Sequence, residues 1–332
     1  MSRPILFHAE GDARTGLGHL VRMVAVAGEL AATENVHCAS SSPHLDSVVA
    51  ELAPWARGAF TCHAMPNSEE NPWARGDSLG HLLASLAVSL DARAVVSDGK
   101  TAYGKEVFKA LRSRARVVLI DNVAAHSEGF DVLVLPTCHA DPALTARMEK
   151  EPVRTGPAWT FVHPAVKALV TLGPSAANAR DGIFISMGGA DPRGLTARAL
   201  RHLLLQTSSQ LVAVVGPANG KREELKAIET QANGRVKLVG GSPASQEGLA
   251  SARYAMCAFG ITSYEAVALG VPLLVVAHDG VVDADMDRFA RHFAPGVVAL
   301  PTPEDARAFP TMYAGDAEEL GTLGASLAAL CP

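Results

Sequence analysis

Three short stretches of this 332-residue chain join glycines to residues that can move protons or hold anions. The first is "TGLGHLVRM", residues 15–23, where Gly16 and Gly18 lead into His19. The glycines remove side chains where the chain turns out of the apolar run "PILFHA", and Leu20, Met23, Val24, Ala27, Leu30 and Ala31 then recur as one face of a helix. A helix N-terminus presents unpaired N–H groups and a positive dipole, which suits phosphate or another anion. His19 stands in the first turn, where that dipole favours the neutral ring and hence a proton-accepting role.

The second stretch, "GIFISMGGADPRGLTARAL", runs a strand into Gly188 and Gly189. Asp191 is placed to cap the next helix, and Pro192 suits its first turn. The third, "CAFGITSYEAVALGVPLLVV", joins a buried strand to a short helix. Here Gly260, Ile261, Thr262 and Ser263 can offer amides and hydroxyls to a diphosphate, and the Glu265 carboxylate can accept both hydroxyls of a ribose. Thr262-x-x-Glu265 also fits a capping box, a purely structural use of the same residues.

Two other chemistries fit less well. A dinucleotide fingerprint needs a small residue where Val21 stands and an acid after the second strand, where "HCASSSPH" has none. "DADMD", residues 283–287, has the D-x-D spacing of a metal site. It falls in a helical segment, with Arg288 where a calcium loop needs glycine, so it reads as a solvated acidic helix start.

The elements that must position these residues alternate along the chain. Apolar runs at Ile5–His8, Val36–Ala39, Ala94–Ser97, Val117–Ile120 and Val132–Leu135 predict a parallel sheet wrapped by helices. The pattern restarts at Ile183–Met187, Leu211–Val215, Val236–Val239, Tyr254–Ala258 and Leu273–Ala277. Helices are expected between these later strands, at Leu195–Leu205, Arg222–Ala232, Gln246–Ser251, Ser263–Leu269 and Ala284–His292. "EKEPVRTGPAWTFVHPAV" carries three prolines and breaks the rhythm, which puts a linker near residues 155–170 and favours two sheets over one continuous sheet. The expectation is an α/β chain with doubly wound domains at residues 1–160 and 165–332, facing a cleft lined by strand carboxyl ends. A closing amphipathic helix is expected in "EELGTLGASLAALCP".

Composition narrows the class of function. Apolar residues make up 48% and charged residues 19%, and no apolar run reaches the roughly 18–20 residues of a membrane span. The N-terminus has no export signal, so a cytoplasmic protein is expected. A net charge of -5 without a basic run argues against nucleic acid as partner. The five cysteines are scattered, fitting neither a disulfide framework nor a zinc site. No metal or cofactor is expected, and oligomeric state is not legible.

Taken in order, the three stretches resemble the GT-B-like nucleotide-sugar enzymes. The resemblance is strongest to the hydrolases that remove UDP from UDP-2,4-diacetamido-2,4,6-trideoxy-β-L-altropyranose in pseudaminic acid synthesis, and to their spore-coat polysaccharide relatives. The family's G-x-G-H-x-x-R opening stands here in "ILFHAEGDARTGLGHLVR", its M-G-G-x-D loop in "IFISMGGADPRGLT", and its glutamate helix in "GITSYEAVALGVPLL". Weaker echoes are "VVSDG", "LIDN", "FDVLVLPT" and "RTGPAW", so the likeness runs from about residue 4 to 280.

The resemblance implies two Rossmann-like domains, with the catalytic loop in the first and the nucleotide in the second. UDP would lie near Gly188, Gly189 and Ile261–Ser263, with Glu265 on the ribose and His19 beside the sugar C1. His19 is then the general base of an inverting, metal-independent hydrolysis, and Asp98 either orients it or binds a sugar hydroxyl. Gly16, Gly18, Arg22, Gly188, Gly189, Asp191, Ile261, Thr262, Ser263 and Glu265 are the expected substrate contacts. The peptidoglycan UDP-GlcNAc transferases share the layout more distantly, so the alternative is a GT-B glycosyltransferase. The chain departs from the family at His8, where arginine is usual, at Asp98-Gly99-Lys100 with Tyr103 displaced, and at His278 and Asp279 in place of an Asn-Gln pair.

Overall fold

Strands rich in Val, Ile and Leu, without polar alternation, are stable only where both faces are covered, as in a parallel sheet with helices on each side. The computed structural model has two such sheets. It describes residues 2–12, 16–52, 58, 60–66, 76–99, 104–122, 129–137, 142–171, 180–241 and 244–307. These fall into two compact units, one of residues 2–12 and 19–161, the other of residues 16–18 and 162–307.

The first unit runs β1 (Ile5–Ala9), α1 (Gly18–Leu30), β2 (Val36–Ser40), α2 (Leu45–Leu52), β3 (Thr61–Ala64), α3 (Gly76–Ser89), β4 (Ala94–Asp98), α4 (Lys105–Arg112), β5 (Arg116–Ile120), β6 (Val132–Val134), α5 (Pro142–Met148) and β7 (Val153–Arg154). Its strands are all parallel, in the order β3-β2-β1-β4-β5-β6-β7. The direction of winding reverses between β1 and β4, where doubly wound sheets open a crevice at their strand carboxyl ends. Leu6 and Val95, paired in register, enter a core with Leu79 and Leu83 of α3 and Val107 and Leu111 of α4. Side chains alternate along a strand, so Asp98 at the end of β4 points to the other face.

The second unit runs α6 (Pro164–Thr171), β8 (Ile183–Ser186), α7 (Leu195–Gln206), β9 (Leu211–Val214), α8 (Arg222–Gln231), β10 (Val236–Val239), α9 (Ala244–Ser251), β11 (Tyr254–Ala258), α10 (Ile261–Ala268), β12 (Leu273–Val276), α11 (Ala284–His292) and β13 (Val297–Leu300). Its parallel order, β10-β9-β8-β11-β12-β13, reverses between β8 and β11. Ile183, Ile185, Met256 and Leu274 anchor its core.

Strands β3, β7 and β13 have no counterpart in the sequence reading. Three of the four residues of β3 are exposed, so this edge strand carries no apolar signal. The segment expected to form the closing helix, like Lys100, Tyr103, Cys138 and Cys331, lies outside the described residues. No helix among those described is long and apolar enough to cross a membrane.

Candidate active site

His19 and Arg22 are three residues apart at the start of α1, so they share one face of that helix. Both meet Asp98. Arg22 grips the carboxylate with two N–H groups, Nε to Oδ2 at 2.6 Å and Nη2 to Oδ1 at 2.6 Å. His19 Nδ1 lies 2.8 Å from Oδ1. Asp121, which follows β5, joins the group through Arg22 Nη2 at 3.1 Å, and its Oδ2 is 3.9 Å from His19 Nδ1.

Counting protons gives the tautomer of His19. Arg22 Nη2 lies 3.0 Å from His19 Nδ1, but its two protons are directed to Asp98 and Asp121. Nδ1 must therefore carry its own proton and donate it to Asp98, which makes Nε2 the ring's acceptor nitrogen. In that tautomer Nε2 is the ring nitrogen able to accept a proton.

The charges hold one another in place. Burial works to raise the Asp98 carboxyl, but Arg22, through charge and hydrogen bonds, and His19 outweigh it and hold the group below the usual carboxylate range. Burial likewise opposes the Arg22 charge, and Asp98 and Asp121 more than offset it, so the guanidinium stays ionised. The sequence places Arg22 among the substrate contacts. In the structure its Nε and Nη2 are turned to these two carboxylates, with the side chain 7% exposed.

On the opposite face of the sheet, His8 links Ser97 Oγ at 3.1 Å to Glu10 Oε1 at 3.0 Å. Glu10 also accepts from the Ser41 amide and hydroxyl. Burial raises the Glu10 carboxyl, but the His8 and Ser41 contacts leave it lowered overall. This closed network ties together the ends of β1, β2 and β4. Gly16 has φ +86, which L side chains avoid, whereas Gly18 already begins the helix.

In the second unit the loop after β8 contains Gly188, at φ +88 with open space where a Cβ would be. Asp191 caps α7 from within this loop, accepting from Leu195 N at 2.7 Å and Thr196 N at 2.9 Å. Pro192 lies in the preceding turn rather than in the helix. Asp191 thus occupies the first amides of α7.

Helix α10 begins at Ile261 with Gly260 as its N-cap, so Thr262 is already helical and the Thr262–Glu265 capping box does not form. Ser263 fills that role, accepting from Gly260 N at 3.4 Å and donating to Ala258 O at 3.1 Å. Glu265 is freed from capping and instead accepts from the backbone of His163 at 3.1 Å. Burial, only partly relieved by that hydrogen bond, pushes its carboxyl up to about 7. His163 had no role in the sequence reading. Its ring accepts from Ala165 N and so caps α6 while its amide holds Glu265.

His278 and Asp279 sit on an exposed turn after β12, where His278 meets Phe259 O and Asp279 accepts from Val281 N. Asp283 caps α11 through Met286 N, and Asp285 and Asp287 pair with Arg288 and Arg291. The "DADMD" stretch is thus a helix start. Among the described residues no group of three or more His, Cys, Asp or Glu is arranged to hold a metal ion. Asp121 was missed. Its signal was an acid directly after a buried strand in "LIDN", a position that faces the crevice in doubly wound sheets.

The sequence matches no family model and no curated protein. Solved structures do match. A Methanocaldococcus jannaschii UDP-GlcNAc 2-epimerase in complex with UDP-GlcNAc and UDP aligns over 98% of this chain and 99% of its own, at 10% identity and TM-score 0.59. Phytolacca americana UGT2, complexed with UDP-2fluoro-glucose and pterostilbene, aligns over 92% and 88% at 13% identity and TM-score 0.56. An S. aureus MnaA–UDP structure aligns over 88% and 87% at 14% identity and TM-score 0.55. These likenesses show the fold: two Rossmann-type domains of the GT-B kind.

Proposed function

We propose that the chain processes a UDP-activated sugar, and that the reaction is hydrolysis at C1 in the synthesis of pseudaminic acid or a surface polysaccharide. The observation that carries the reading is the His19–Asp98 contact, which fixes the imidazole as an acceptor at the switch point of the first sheet. Support also comes from the fold, shared with proteins solved with UDP or UDP-sugars bound.

In this reaction Nε2 of His19 takes a proton from water, the water oxygen bonds to C1, and the C1–O bond breaks with its electron pair leaving on UDP. Attack opposite the leaving group inverts C1. General-base help contributes about two to four powers of ten, and the rest comes from orientation and from stabilising the departing diphosphate. For the diphosphate the chain offers the amides around Gly188 and Gly189 and the first turn of α10, Ile261 to Ser263. Glu265 is the ribose acceptor. Asp98 and Arg22 hold the base.

The test is UDP release from a panel of UDP-sugars, with products identified by mass spectrometry. Release with free sugar and no acceptor supports hydrolysis. Release only when an acceptor is added overturns it in favour of transfer, and a changed sugar still attached to UDP overturns it in favour of epimerisation.

A further inference from the structure

We propose that Asp121 is a positioning residue that supplies the unbalanced negative charge drawing a proton onto His19 during the reaction. The inference rests on the reading of His19 as general base. It begins from a charge count. Among the described residues, Asp98 and Asp121 bring two negative charges to a group whose permanent cation is Arg22, so with a neutral imidazole these four side chains are one positive charge short.

Geometry says where the surplus lies. Asp98 takes the two-pronged grip of the guanidinium at 2.6 Å and is 1% exposed, whereas Asp121 receives one N–H at 3.1 Å and remains 34% exposed. The less neutralised carboxylate is therefore Asp121, with Oδ2 3.9 Å from His19 Nδ1. When Nε2 takes the proton of the attacking water, the positive charge that appears on the ring completes the balance. Opposite charges this close favour the charged ring, and partial exposure weakens the effect without removing it.

The backbone supports the assignment. Asp121 has φ +61, a left-handed conformation uncommon for a residue with a side chain. Such strain persists where surrounding structure enforces it, and it gathers at functional sites. The other charged groups nearby do not supply the same field. Among the described residues Glu10 is engaged by His8 and Ser41 on the far face of the sheet, and Arg22 and Asp98 neutralise each other.

The experiment compares the full chain with Asp121→Asn, because asparagine is among the residues most at ease at positive φ and keeps an oxygen for Arg22. The His19 ring is titrated by NMR, with its resonance assigned from His19→Gln, and UDP release is followed against pH. In Asp121→Asn the His19 midpoint should fall by about one pH unit. The acid limb of the rate profile should move the same way, kcat should fall, and KM should change little. Asp121→Glu should restore the parental midpoint. An unchanged or raised midpoint in a folded Asp121→Asn protein overturns the proposal. The NMR titration needs no turnover, so a lowered midpoint in a chain that releases no UDP would sink the hydrolase reading and leave the electrostatic role of Asp121 standing.

Discussion

His19 and Arg22, one helical turn apart on α1, both reach Oδ1 of Asp98, at 2.8 Å and 2.6 Å. Oδ1 thus sets the tilt of the imidazole and shares with Oδ2 and Asp121 the hold on the guanidinium. The G-H-x-x-R spacing exists to bring both side chains to one acceptor, and the alternation of β4 turns that acceptor toward them.

Asp98→Asn tests the tautomer. The amide can present either oxygen or NH2 to His19, and Arg22 competes for the oxygen. With NH2 toward the ring, Nδ1 becomes an acceptor, the proton moves to Nε2 and the base is lost. UDP release should fall by about two to four powers of ten, while UDP binding measured by calorimetry stays within a few-fold. Turnover close to the parent's would remove Asp98 from the mechanism.

Arg22→Ala leaves the Asp98 carboxylate buried and ionised, with the neutral His19 ring still donating Nδ1–H to it. Removing one member of a buried pair costs roughly 3–5 kcal/mol, read as a lower midpoint in urea at pH 7. Asp98 is held below its unfolded value, so the stability it contributes is present above the ordinary carboxylate range and is lost as pH falls through its folded value. The gap between parent and variant should therefore close in acid. A variant as stable as the parent at pH 7 would show that the grip contributes little.

Arg22 also shows what was legible in the sequence and what was not. The two sheets and most strand bounds followed from apolar runs, because a strand buried on both faces has few residue types to choose from. The exposed edge strand β3 had no such constraint and left no trace. His19 could be singled out by type and place, and Arg22 and Asp98 through the resemblance, but the partner of Arg22 depends on which strand ends become neighbours. The order β1-β4-β5 brings together Asp98 and Asp121, 23 positions apart, and local pattern does not encode that order. Glu265 looked like a capping residue for a similar reason: α10 starts at Ile261, ahead of the position a Thr262 cap would require.

Asp191 separates capping from ligand contact. Its carboxylate holds two amides of α7 from a backbone at φ +42. Asp191→Ala should lower stability by about 1–2 kcal/mol, the usual cost of a lost cap, and Asp191→Asn should recover most of that because it tolerates the backbone and keeps an acceptor. Denaturant midpoints report the effect. Equal losses in both variants would mean that the negative charge, rather than the cap, matters.

Glu265 makes stability depend on pH with an unusual sign for a carboxylate. Its folded-state value of about 7 lies above the ordinary 4.5, because burial opposes ionisation and one amide of His163 only partly compensates. Between those two values the folded chain holds a proton that the unfolded chain has lost, so this group's contribution falls as pH rises and levels off above about pH 7. Glu265→Gln, uncharged at every pH, should match the parent near pH 4, gain on it up to about pH 7 and keep that gain at pH 8, by up to about 3 kcal/mol. Melting temperatures of both proteins from pH 4 to 8 read the difference directly. If ribose hydroxyls donate to the ionised carboxylate, UDP should stabilise the parent more at pH 8 than at pH 6 and should show no such trend with the glutamine variant. A constant gap between the two proteins across that range would mean that Glu265 ionises freely in the folded chain, and its burial would then carry no consequence for binding.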